Sequence, residues 1–88
     1  MTSEELDIAF RTSVKRINNH TNPFPADFLL RLYAYYKKAT NDYGRPNSRK
    51  PIINAFKTNA LFQVQDINED DAKKEYIKLV NAYFFNQK

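Results

Sequence analysis

NEDDAKKEYIKLVNAYFF, residues 68–85, reads as one helix from its first residue to its last. Asn68 can accept a hydrogen bond from the amides of the first turn, and Glu69, Asp70 and Asp71 set negative charge against the positive end of the helix dipole. Ala72, Tyr76, Leu79, Val80, Tyr83 and Phe84 then recur at three- and four-residue steps, the period of one buried helical face. A cap, an acidic first turn and a stripe of that length predict a helix that packs on others through a single side.

The same grammar repeats toward the N-terminus. Thr2 and Glu5 form a capping box ahead of a helix over about Ser3 to Asn18, with Leu6, Phe10, Ser13/Val14 and Ile17 on one face. NNHTNPFP, residues 18–25, breaks it. A second helix is predicted from near Pro25 to Thr40, with Phe28, Leu29, Leu32, Tyr36 and Ala39 on its inner side. NDYGRPNSRKP ends that helix. A third begins near Ser48 with Pro51 in its first turn, and is expected to bury Ile52, Ile53, Phe56 and Ala60 before the loop LFQVQDI. With one glycine in the chain, no internal repeat and no sustained heptad seam, the pattern predicts an all-α protein, a compact four-helix bundle of antiparallel type rather than a coiled coil.

Length and composition bound what such a bundle can do. Eighty-eight residues suffice for one modest core, so a single domain is expected over residues 1–88. Without cysteine there is neither a disulfide framework nor a thiolate zinc site, and a reducing, cytoplasmic setting is expected. MTSEELDIAF carries acid where a secretory leader carries base. Fourteen Lys and Arg against ten Asp and Glu leave a net charge of +4, which favours an anionic partner. Seven Phe and six Tyr exceed what a small core requires, which leaves rings for recognition.

The densest such region is YAYYKKAT, residues 33–40. Tyr33, Tyr36 and Lys37 stand at i, i+3 and i+4, so two phenols and an ammonium share one face while Tyr35 and Lys38 point elsewhere. A ring can stack on a heterocyclic base, a phenol can hydrogen-bond a phosphate, and a lysine supplies a point charge, a set suited to a nucleotide-like ligand. The plainer reading has the tyrosines packing their rings on neighbouring helices and the lysines in water. Lys57 and the Lys15–Arg16 pair are further basic positions that matter only if the fold gathers them. Catalysis finds little: His20, the single histidine, sits in a loop or cap context, the serines lack an elbow motif, and no phosphate-binding glycine loop exists. Glu69, Asp70 and Asp71 lack the spacing of a calcium loop.

The order of LYAYYKKAT, an RP-containing loop, NAFKTNAL and INEDDAKKEYIKLV resembles the acyl-CoA-binding protein family. That family's pattern is Tyr-x-x-Tyr-Lys-x-Ala-Thr, Arg-Pro-Gly, Lys-Trp-x-Ala-Trp and Asp-Ala-x-x-x-Tyr-Ile. The likeness is close over residues 29–81 and looser in the first helix. Thr58 and Leu61 stand where the family has tryptophans, Asn47 replaces the glycine of Arg-Pro-Gly, and the loop between the second and third helices is shorter.

The resemblance implies an up-down-down-up four-helix bundle that binds medium- and long-chain fatty acyl-CoA esters as a soluble intracellular carrier and pool former, without chemistry and without a cofactor or metal. It places Tyr33 near the head-group phosphate, Tyr36 against the adenine, Lys37 and Lys57 at the 3′-phosphate, and Tyr76 at the head group from the last helix. Lys15 takes the place of a first-helix lysine. It further implies a monomer making transient contact with acyl-CoA-using enzymes or membranes, and no nucleic-acid partner. The rival reading is a small basic helical module that binds nucleic acid or protein through a diverged site, motivated by the +4 charge and the RPNSRK loop.

Overall fold

The computed structural model describes residues 2–41 and 51–86, and side chains outside 51–54. Four helices appear in it: α1 (Ser3–Asn19), α2 (Ala26–Ala39), α3 (Pro51–Gln63) and α4 (Glu69–Phe85). The two caps read from the sequence are formed. Thr2 Oγ1 accepts from the Glu5 amide at 3.1 Å, and Asn68 Oδ1 accepts from the Asp71 amide at 2.7 Å. The Glu5 carboxylate accepts from the Thr2 hydroxyl at 3.1 Å, so the box closes through side chains. At the other end of α1 the His20 amide donates to the Ile17 carbonyl at 3.3 Å, which gives that histidine the cap role its context suggested.

Helix directions follow from pairs of side-chain contacts. Asp7 meets Lys73 and Arg16 meets Asn81, so α1 and α4 run the same way. Tyr36 faces Tyr76 while Phe28 faces Tyr83, so α2 opposes α4. Lys57 lies over Tyr33 and Lys38 reaches the Gln65 carbonyl, so α3 runs with α2. The order is therefore up, down, down, up. Among the described residues α4 packs on both α1 and α2, and α3 packs on α2 alone. The α1 and α2 backbones stay apart, and rings span the gap between them.

Phe10, Leu32, Ala39, Ala72, Tyr76 and Val80 form the core where α1, α2 and α4 converge. Ala72 and Val80 of the fourth-helix stripe are fully buried, and Leu79, Tyr83 and Phe84 are half-buried at its margins. Two parts of the expected burial are corrected. On α2, Leu29 and Tyr36 are exposed, because they border the gap between α1 and α2, whereas Ala34 is buried where α2 meets α3.

On α3, Phe56 is 50% exposed and the helix continues through Leu61, Phe62 and Gln63 instead of stopping before them. Its inward side is Lys57, Ala60 and Leu61, running on to the buried Val64 just past its end, so the expected Ala60 is on it and Phe56 is not. A helix with one neighbour needs only a narrow buried side, and the methylene stem of Lys57 serves as part of it. Ser48, expected at the start of α3, Asn47 with its loop, and the side chains of Ile52 and Ile53 lie outside the described residues.

Candidate functional site

Two adjoining hollows occupy the space that α1 and α2 leave between them. The larger, about 460 Å³, is lined by Asp7, Phe10, Arg11, Val14 and Lys15 of α1, Tyr36, Ala39 and Thr40 at the end of α2, and Lys73 of α4. The smaller, about 280 Å³, is lined by Val14, Ile17, Asn18, Leu29, Leu32, Tyr33, Tyr36 and Tyr76. Val14 and Tyr36 border both. One hollow thus has a polar, mainly basic rim, and the other an apolar wall ending in phenols.

Tyr36 is 40% exposed, with its ring 6.0 Å from Phe10 and 6.4 Å from Tyr76. Phe10 meets Tyr76 edge-on at 5.1 Å, a geometry aromatic pairs favour. These three rings, one from each of α1, α2 and α4, make a packed floor on which Tyr36 offers its outer side. Burial, with a smaller contribution from Tyr36, pushes the Tyr76 phenol up to about 12, so it stays a neutral hydroxyl at physiological pH.

Tyr33 lies one turn earlier on α2. Its ring carries two ammonium groups, Lys57 Nζ at 5.1 Å and Lys37 Nζ at 5.7 Å from the centroid. Each contact is of the cation–π kind, worth about 0.5–1 kcal/mol at a partly exposed site. An anion placed beside the ring would be attracted by both charges at once. The Tyr33 hydroxyl is buried and finds no hydrogen-bond partner among the described residues. A buried hydroxyl without a partner costs about 1–3 kcal/mol, and a ligand oxygen could offset that cost.

The structure thus brings five of the six sequence-derived candidates into one continuous region: Tyr33, Lys37 and Lys57 as one group, Tyr36 and Tyr76 as its neighbour. Lys15, the sixth, is exposed on the far wall and borders the larger hollow together with Tyr36. The flanking residues had other roles: Lys38 Nζ donates to the Gln65 carbonyl at 3.1 Å and ties α2 to the end of α3, and Tyr35 packs against the core. Arg16, beside Lys15, stacks on Phe84 at 4.5 Å and donates to Asn81 Oδ1 at 3.0 Å.

Three residues of the larger hollow escaped the sequence reading: Asp7, Arg11 and Lys73. Lys73 Nζ donates to Asp7 Oδ1 at 2.6 Å across the α1–α4 contact. That hydrogen bond, the largest influence on the Asp7 carboxyl, outweighs desolvation and holds it below its ordinary 3.8. The one legible hint was that Arg11 and Lys15 stand four residues apart and so share a face. Among the described residues no group of His, Asp and Glu is placed to hold a metal ion, and no helix is long and apolar enough to cross a membrane.

The family model described as acyl-CoA-binding protein matches residues 7–80, which include every residue that lines the two hollows. The chain belongs to the acyl-CoA-binding protein family. The acyl-CoA-binding protein of Saccharomyces cerevisiae is 36% identical over 76 residues, covering 82% of this chain and 85% of the yeast protein. The crystal structure of Oryza sativa Acyl-CoA-Binding Protein 2 matches with a TM-score of 0.80 over 94% of this chain and 92% of that one, at 23% identity, a likeness of fold. The resemblance carried by LYAYYKKAT and its companion motifs is therefore one of family and of architecture.

Proposed function

We propose that this acyl-CoA-binding family member is a carrier and pool former for medium- and long-chain fatty acyl-CoA, holding its ligand without altering it. The observation that carries this reading is the Tyr33 group: a buried hydroxyl with no hydrogen-bond partner among the described residues, beneath two ammonium ions, next to an exposed ring. A 3′-phosphorylated adenosine has two parts that suit such a group, an anion that two ammoniums and a hydroxyl can bind together, and a flat base for Tyr36. Tyr76, neutral and at the floor, supplies a donor from α4, and Lys15 adds charge from α1.

Beyond the rings, Val14, Ile17, Leu29 and Leu32 give an apolar wall that suits methylene groups. Each methylene fully removed from water contributes about 0.8 kcal/mol, so affinity should grow with acyl length until the wall is covered. On this reading residues 1–88 act as one domain, as a monomer in the cytoplasm, handing ligand to acyl-CoA-using enzymes or membranes by transient contact.

Calorimetric titration with palmitoyl-CoA, octanoyl-CoA and free CoA tests the proposal. Binding should tighten in the order free CoA, octanoyl, palmitoyl, and Lys57→Ala should weaken all three by a similar factor, because it acts on the head. Equal affinity for CoA and its palmitoyl ester, or silence with all three, would refute it.

A further inference from the structure

On an isolated helix, Asp7 and Arg11 would pair, since acid four residues before base is the favoured orientation. In this fold they do not. Asp7 instead accepts from Lys73 of α4 at 2.6 Å, and Arg11 exerts only the weakest of the charge effects on the Asp7 carboxyl. No hydrogen bond holds Arg11 among the described residues, and it stands with Lys15, one turn on, along the rim of the larger hollow facing Tyr36. The rim therefore presents two guanidinium or ammonium groups on α1 and one neutralised pair, Asp7–Lys73.

We infer that Arg11 is a specificity-determining contact for the phosphates of the head group, kept available because Lys73 engages Asp7. The inference deepens the carrier reading and rests on it. A guanidinium presents several N–H donors in a fixed fork that matches phosphate oxygens better than an ammonium does. Tyr36, which borders the same hollow, would hold the base within reach of that fork, opposite the lysines around Tyr33. Lys73 acts as a positioning residue: without it, Asp7 is released to form the helical pair with Arg11 and withdraws it from the rim.

Palmitoyl-CoA calorimetry on the full chain, at low and at physiological salt, tests this with Arg11→Gln, Arg11→Lys, Lys73→Met and the double variant Asp7→Asn/Lys73→Met. Arg11→Gln should weaken binding about fivefold, the upper end for one solvent-accessible ion pair, and flatten the salt dependence. Arg11→Lys should lose less. Lys73→Met should weaken binding comparably and the double variant should regain most of the loss, whereas a purely structural bridge between α1 and α4 would make the affinity of each variant follow its urea stability without ligand. Unchanged affinity and salt dependence in Arg11→Gln, with a wild-type chain that binds, would overturn the inference and leave the carrier reading intact. A Lys73→Met loss that the second substitution does not repair would overturn the positioning role. A wild-type chain that does not bind would overturn the carrier reading, and this one with it.

Discussion

Tyr33→Phe separates a ligand-binding tyrosine from a structural one, because the two predict opposite changes in the empty protein. The substitution removes a hydroxyl that is buried without a hydrogen-bond partner among the described residues, and leaves the ring for Lys37 and Lys57. An unsatisfied buried polar group costs about 1–3 kcal/mol, and since Tyr33 is only half-buried the lower figure applies. The free variant should therefore be more stable by about 1 kcal/mol, which for a domain of this size raises Tm by about 4–8 °C. With ligand the sign reverses. A hydroxyl donating to a phosphate is a hydrogen bond to a charged group, and its loss, about 1.5 kcal/mol, weakens binding about tenfold. Urea denaturation with and without saturating palmitoyl-CoA reads both quantities, because the ligand stabilises by RT ln(1 + [L]/Kd). A free variant destabilised by 1 kcal/mol or more would show that the hydroxyl is satisfied in the empty protein, and the reasoning would fail.

Two further expectations concern the core. Val80→Ala removes two methylene equivalents from a fully buried position and should cost about 2 kcal/mol with part of the cavity unfilled, read as a lower urea midpoint at constant m; a loss under about 0.5 kcal/mol would mean the site collapses freely. The Tyr76 phenol, raised in the folded state from 10.0 to about 12, favours the folded state fully below pH 10 and loses that contribution as pH rises toward 12. Tyr76→Phe should accordingly flatten the alkaline decline in stability over that interval, and an ultraviolet titration should show one tyrosine fewer ionising late.

The fourth helix was legible in full because everything that defines it is local: Asn68 caps within three residues, and its buried stripe needs only a periodicity. Tyr33, Tyr36 and Lys37 were legible as a face for the same reason. Periodicity alone did not bring Lys57 to Tyr33, and only the family resemblance did, since its stem belongs to a side of α3 that packs on α2 as its sole neighbour among the described residues. That same narrow contact is why Phe56 is expected inward by spacing and stands outward in the fold. Leu29 misled for a related reason: apolar spacing marks a side of a helix, and cannot tell whether that side meets a core or a gap. Asp7 and Lys73, 66 residues apart, carry no local sign of each other, and the nearer partner that spacing offers Asp7 is the one the fold declines.

Because α1 leans on α4 and stays clear of α2, it docks against a helix that is synthesised after both α2 and α3. α2 and α3 can associate as they emerge, while α1 must wait with Leu6 and Phe10 uncovered until α4 has been made. Closing that long loop carries the largest entropic cost of the helix contacts, so the transition state for folding should be organised around the meeting of α1 and α4. The contact between α1 and α4 would then set the folding speed, while the gap it leaves open beside α2 is free to serve the ligand.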